Sequence, residues 1–285
     1  MLAAAVLWGT TGTTQALAPA NAQPASIGAV RLIFGGLALL AIAIFGGSIR
    51  KIGRLPPGST LLAAVSMAAY QLLFFGGVAR TGVAVGTVVG IGSSPILAGI
   101  IGFLLRGERP DRWWVAATAL SICGCGLLLA AGETIEIDSW GILMAVGAGA
   151  AYAVFTVVSK GLLEGRNPQA VMAATFCLGA LFLLPLFFSV DLSWIATPGG
   201  LAVALHLGIV TVAIAYTLFA LGLRLVSVAT AATLTLAEPL TAGFLGIFVL
   251  GENLTVPALA GIVLIFSGLA LLTSHRQELP AAELG

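Results

Sequence analysis

The sequence predicts an all-α integral membrane protein in which ten transmembrane helices form two inverted five-helix repeats around a central cavity. Three observations lead there. Of 285 residues, 59% are hydrophobic and 8% charged, against about 25% charged in soluble domains, and the mean hydropathy is +1.12. A soluble core could not bury that much apolar surface and still leave a polar exterior. Polar or Gly/Pro-rich breaks divide the chain into apolar runs close to the length of about 20 residues that crosses a bilayer. The chain also repeats itself at a fixed offset of 144 residues.

Taken in order, the expected spans are 1–17, 26–46, 59–77, 82–105, 112–131, 140–160, 169–189, 200–221, 227–249 and 255–273. The first has no basic start and runs into Thr10 to Gln15, so it reads as a span and not as a cleavable signal peptide. The break at 47–58 carries Arg50, Lys51 and Arg54, and that at 132–139 carries Glu133, Glu136 and Asp138. With the amino terminus inside, the inner loops and tail hold 10 of the 12 Lys and Arg residues. Lys/Arg bias in short loops sets orientation, so both termini are expected in the cytoplasm, with the protein in a bacterial-type inner membrane. A net charge of +1 without a larger basic cluster excludes a nucleic-acid partner. Cys123, Cys125 and Cys177 lie in apolar runs, where a thiol acts as a small hydrophobe, so no disulfide, metal site or cofactor is expected.

The 144-residue register needs no gap. It sets Pro24 on Pro168, Gly35 on Gly179, Phe75 on Phe219, Arg80 on Arg224, Pro95 on Pro239, Gly107-Glu108 on Gly251-Glu252, and Gly124 on Gly268. Two units follow, 1–137 and 138–274, with a cytoplasmic tail at 275–285. Each holds five spans, an odd number, so the second enters the membrane from the opposite face, and substrate sites in such proteins lie near the midplane between the halves. In this register the first span lacks a few residues of its counterpart, either because it is naturally short or because its start is trimmed.

Glu238 is the deepest carboxylate, near mid-span. An ionised acid there is costly, so it is expected to be protonated, paired or facing a cavity; the alternative is a structural acid bonding amides where Pro239 breaks the helix. Pro239 frees the carbonyl of Thr235, as Pro95 frees that of Ile91, and such openings are tolerated where they line a cavity. Arg31, one turn inside its span, either meets a substrate carboxylate or snorkels to the surface. Trp8 falls on Tyr152, two mid-depth aromatics on stripes of small polar residues: Thr11, Gly12 and Gln15 with Trp8, and Thr156, Ser159 and Lys160 with Tyr152. Lys160 also suits a plain topology anchor. Tyr70 adds a further face with Ser66 and Phe74, while His206 and Tyr216 sit in the eighth span. His206 equally suits a buried neutral imidazole bonded to a neighbouring helix.

The Trp8-Gly9 pair, Arg31, and a proline followed by Gly-Glu after the span in each half (Pro95 with Gly107-Glu108, Pro239 with Gly251-Glu252) resemble the EamA family of the drug/metabolite transporter superfamily. The resemblance covers nearly all of the chain and implies a secondary transporter of small metabolites. The aromatic midplane is most similar to the aromatic amino acid exporters of the YddG type. The expected function is therefore export of amino acids, aromatic or otherwise hydrophobic, and related amphipathic compounds by alternating access. Its partners would be a small-molecule substrate and the lipid bilayer. Trp8, Gln15, Arg31, Tyr70, Tyr152, Thr156, Lys160, His206, Tyr216 and Glu238 are the candidate substrate-binding residues, with Pro95 and Pro239 as structural breaks. The sequence has no phosphate-binding G-x-x-x-x-G-K-[ST] loop and no cluster of His, Asp or metal-spaced carboxylates, so neither ATP hydrolysis nor an enzyme is expected. A non-transporting scaffold or lipid-handling subunit, or a transporter of another solute class, are the alternatives.

Overall fold

A computed structural model describes residues 1–51, 53–129, 138–250 and 255–274. Glu133, Glu136, the unit boundary at 137, Gly251, Glu252, Arg276 and the tail lie outside the described residues. Among the described residues every regular element is helical: α1 (Leu2–Ala16), α2 (Pro24–Phe45), α3 (Pro57–Arg106), α4 (Arg112–Leu129), α5 (Ser139–Leu163), α6 (Pro168–Phe187), α7 (Pro198–Leu205), α8 (Ala215–Leu223), α9 (Val228–Leu234), α10 (Glu238–Leu250) and α11 (Val256–Ser274). A π-helical stretch, His206–Ile214, joins α7 to α8, and a 3₁₀ turn, Thr235–Ala237, joins α9 to α10. Among the described residues eight segments are long and apolar enough to cross a membrane. The first and fifth expected spans are not among them: α1 has 15 residues, and the fifth runs into residues that are not described.

Local chemistry sets the helix starts. Pro24, Pro57, Pro168 and Pro198 open α2, α3, α6 and α7, where a missing N–H costs no hydrogen bond and φ is already helical. Side-chain oxygens of Asp138, Asn167, Thr197 and Ser227 cap the amides that α5, α6, α7 and α9 leave open.

The break expected at 78–81 does not interrupt the helical backbone, which continues through α3 for 50 residues. Straight, such a helix would span about 75 Å, far more than a hydrocarbon core of about 30 Å. It folds back on itself instead. A methyl group on Gly86 would lie 2.8 Å from the Val78 Cα, and one on Gly90 would lie 3.4 Å from the Phe74 ring. Straight geometry would hold those pairs about 12 and about 24 Å apart. Two antiparallel arms result, 57–81 and 89–106, each able to cross a membrane.

The helices pair α3 with α5, α4 with α11, α2 with α6 and the π stretch, and α1 with α10. Glycines set the closest crossings. A methyl on Gly124 would lie 2.7 Å from the Gly261 carbonyl oxygen and 2.8 Å from the Ile265 nitrogen; one on Gly268 would lie 2.6 Å from the Ala117 oxygen and 3.1 Å from the Ser121 nitrogen. These contacts exchange under the 144-residue offset, since Gly124, Ala117 and Ser121 map to Gly268, Gly261 and Ile265. The same holds elsewhere: Gly35 packs against Gly208, and Gly179 against Ala64.

Candidate functional site

A cavity of about 400 Å³ opens between α1, α2, both arms of α3, α5, α8 and the start of α10. Its floor is aromatic. The Trp8 and Tyr216 ring centroids are 4.8 Å apart, Tyr70 stacks on Phe74 at 5.5 Å, and Tyr70 and Tyr152 are 5.6 Å apart. Phe155, Phe176 and Phe219 continue the cluster below, Phe176 lying 4.5 Å from Tyr216. The walls add Thr11, Gln15, Thr87, Ser94, Arg31 and Glu238.

Arg31 is 7% exposed and turns into the protein. Its Nε donates to Thr211 Oγ1 at 3.2 Å. The Thr211 hydroxyl donates its own proton to the Leu207 carbonyl at 2.7 Å, so its lone pairs face the arginine. The Thr211 carbonyl accepts the Trp8 indole N–H at 2.9 Å. Sequence reasoning passed over Thr211, which has no polar counterpart in the first half: Met67 stands at the equivalent position.

Glu238 reaches the cavity because the backbone before it is rewound. Pro239 withholds the amide that would bond Thr235, and the 3₁₀ turn replaces it with the Glu238 N–H, which bonds the Thr235 carbonyl. The Glu238 side chain is left free to line the cavity. Close packing supports this: a methyl on Gly9 would lie 2.6 Å from the Glu238 carbonyl oxygen and would collide with Thr241, so only glycine lets α1 approach α10 here. Among the described residues neither Arg31 nor Glu238 has an ion-pair partner.

Of the candidate residues, the cavity lining brings together Trp8, Gln15, Arg31, Tyr70, Tyr152, Tyr216 and Glu238, with Pro239. Thr156, Lys160, His206 and Pro95 lie outside it. The Thr156 hydroxyl bonds the Tyr152 carbonyl at 2.9 Å, and His206 Nε2 lies 2.9 Å from the Thr10 hydroxyl. Lys160 donates to Glu108 Oε1 at 2.9 Å and to the Val226 carbonyl at 3.0 Å. Glu108 Oε2 accepts the Val228 N–H at 2.7 Å, and Arg106 stands 3.6 Å from Oε1. Gly107, at φ +68°, ends α3 in the left-handed conformation that turns Glu108 into this cluster. Among the described residues no group of His, Cys, Asp and Glu could hold a metal ion.

An aromatic cavity with charged side chains thus lies among helices that, α1 aside, belong to segments long and apolar enough to cross a membrane. The chain belongs to the EamA-like transporter family, whose model matches twice, over residues 1–130 and 139–274. It is 44% identical over 283 residues to YwfM, an uncharacterized transporter of Bacillus subtilis, covering 99% of this chain and 95% of that one. It is 29% identical to the threonine/homoserine exporter RhtA of Escherichia coli, covering 100% and 93%. A crystal structure at 20% identity shares the fold with a TM-score of 0.83, covering 95% of this chain and 94% of the other. These names indicate a transporter and not an enzyme, and the membrane-spanning helices with bacterial relatives mark an integral inner-membrane protein.

Proposed function

We propose that this protein is a secondary transporter that exports amino acids with apolar or aromatic side chains by alternating access. The reading rests on one observation: an aromatic cavity presents one guanidinium, Arg31, and one carboxyl group, Glu238, and among the described residues neither has an ion-pair partner. That arrangement complements a zwitterion. The guanidinium fork receives the carboxylate, Glu238 the ammonium group, and the rings of Trp8, Tyr70, Tyr152 and Tyr216 the side chain. Gln15 adds an amide at the cavity wall.

In this reading ten spans form two inverted repeats, 1–137 and 138–274, with both termini cytoplasmic. The exchange of the Gly124 and Gly268 contacts under the 144-residue offset supports the twofold arrangement. The cavity follows α1 from Trp8 to Ala16 and α3 from Tyr70 to Val78, toward the helix ends assigned outside. At the opposite ends the Glu108 and Lys160 cluster ties α3 to α5 and to the start of α9. This is an outward-facing arrangement.

A second reading, small hydroxy amino acids, is favoured by the name of RhtA and by Thr11, Thr87 and Ser94 on the wall. Uptake of labelled amino acids into proteoliposomes tests both. Saturable uptake of L-phenylalanine or L-leucine, lost in Arg31→Gln and Glu238→Gln, is expected. Preference for threonine selects the second reading, and equal transport of phenylpropionate, which has no ammonium group, overturns the zwitterion site.

A further inference from the structure

The π-helical stretch His206–Ile214 lies behind the cavity, whose lining takes none of its residues but includes Tyr216, two residues beyond it in α8. Such stretches are rare and are frequently found at functional sites. Here it faces α2 across two glycines: a methyl on Gly208 would lie 3.0 Å from the Gly35 nitrogen, and one on Gly35 would collide with Val212. Bare backbones at that crossing bring Thr211 within reach of Arg31, one turn along α2 from Gly35.

We infer that Thr211 is the positioning residue of the cavity: its hydroxyl orients the Arg31 guanidinium for a substrate carboxylate, and its carbonyl orients the Trp8 ring. The inference rests on the reading of Arg31 as the carboxylate receptor and adds a residue outside the cavity that acts through it. Thr211 is fully buried and touches no cavity space. Among the described residues, its bond to Nε is the hydrogen bond that Arg31 makes to protein. Holding Nε leaves both Nη groups for the ligand, which is the geometry of a bidentate carboxylate contact. A guanidinium fixed before binding loses less freedom on binding than a mobile one. The hydroxyl accepts from the guanidinium, which can only donate, and directs its own proton to the Leu207 carbonyl. The Trp8 indole N–H donates to the carbonyl of the same residue at 2.9 Å, and its ring stands 4.8 Å from that of Tyr216. One residue therefore registers the polar and the aromatic parts of the site.

The test uses the full chain in proteoliposomes, with L-phenylalanine, L-threonine and L-phenylalaninamide as probes. Thr211→Val removes the hydroxyl and keeps shape and carbonyl; Thr211→Ser keeps the hydroxyl. Thr211→Val is expected to raise the KM for the transported amino acid about tenfold, the loss of one hydrogen bond to a charged group, with a maximal rate close to wild type. Thr211→Ser should restore KM, and KM for the amide, which has no carboxylate, should be equal in all three proteins. Wild-type KM in Thr211→Val, beside a raised KM in Arg31→Gln, overturns the inference and leaves the carboxylate reading standing. A silent Arg31→Gln overturns the carboxylate reading, and so does a wild-type protein that neither transports nor is thermally stabilised by either amino acid; the inference then falls with it. A lower melting temperature in Thr211→Val with KM unchanged for every probe assigns the threonine to packing alone.

Discussion

Ser94 and Glu238 stand at equivalent places, each one residue before a helix-breaking proline, and they heal the break in different ways. The Ser94 hydroxyl donates to the Ile91 carbonyl at 2.9 Å, supplying the hydrogen bond that Pro95 removes. At Glu238 the backbone does this work, its N–H bonding the Thr235 carbonyl in the 3₁₀ turn. The first half thus uses a side chain to keep its helix, whereas the second tightens its helix and releases an acid into the cavity.

Ser94→Ala should expose that difference. Removing the hydroxyl leaves the Ile91 carbonyl unpaired at a buried position, at a cost of about 1–3 kcal/mol. A lower melting temperature for Ser94→Ala, recovered in Ser94→Thr, is the expected result in detergent; equal melting of Ser94→Ala and wild type contradicts it.

Tyr152 separates packing from binding. Its ring is 7% exposed and its hydroxyl has no hydrogen-bond partner among the described residues. Tyr152→Phe therefore breaks no bond within the protein, and its melting temperature should equal or exceed that of wild type. Transport by Tyr152→Phe should keep the wild-type KM, because the hydroxyl is buried away from the cavity, whereas Tyr152→Ala, which removes the ring that lines it, should raise KM several-fold. Unchanged KM in Tyr152→Ala would reduce Tyr152 to a packing residue of the aromatic cluster.

Much of the fold was legible from hydropathy and punctuation. The breaks at 18–26 and 161–168 fall where α2 and α6 begin on prolines, because a proline start and a polar loop are local properties. Three features were not legible. The unbroken backbone of α3 through 78–81, the π stretch at 206–214 and the turn at 235–237 are choices of hydrogen-bond register, and packing of neighbouring helices makes them. At the site, Trp8, Tyr152 and Glu238 stood out because aromatic and acidic groups at mid-depth are conspicuous. Thr211 did not, since a threonine bonded to the carbonyl four residues back looks like any threonine in an apolar helix. Lys160 sat on the stripe with Tyr152, but its partners Glu108 and Val226 come from distant segments that one-dimensional spacing cannot place.

The Glu108 and Lys160 pair should behave as a buried ion pair. Their side chains are 16% and 8% exposed, and Glu108 also holds the Val228 amide. Removing Glu108 leaves the Lys160 ammonium without its counterpart at a cost of roughly 3–5 kcal/mol, more than an exposed pair contributes, whereas without Lys160 the acid still has Arg106 at 3.6 Å. Glu108→Ala should therefore lower the melting temperature more than Lys160→Met, and the double variant should lose less than the sum of the two. Additive losses would show that the two charges do not act on each other.

Topology has a direct check. Single cysteines at Arg54 and Ser274, both exposed, should react with a membrane-impermeant maleimide only from the cytoplasm, and one at Ser189 only from outside. Ten spans return the chain to its starting face, whereas eight or ten spans with a different pairing would change where Ser189 reacts relative to Arg54. Labelling of Ser189 and Ser274 from one face would end the inverted-repeat reading.

Glu238 has two possible roles, and the structure narrows how they are told apart. A structural acid would cap broken backbone, but the Thr235 carbonyl is already bonded by a backbone N–H, and the carboxylate has no ion-pair partner among the described residues. Gln keeps the size and hydrogen-bonding capacity of Glu and cannot exchange a proton. Glu238→Gln should therefore melt as wild type does. If the acid carries a proton through the cycle, the variant loses the response of transport to an imposed pH gradient and keeps exchange of labelled for unlabelled amino acid. If the acid only receives the substrate ammonium, exchange and gradient-driven flux fall together, because a neutral amide binds the cation weakly. Proteoliposomes measured with and without a pH gradient distinguish these outcomes. A Glu238→Gln protein that accumulates substrate with wild-type gradient response and KM would remove the acid from both roles.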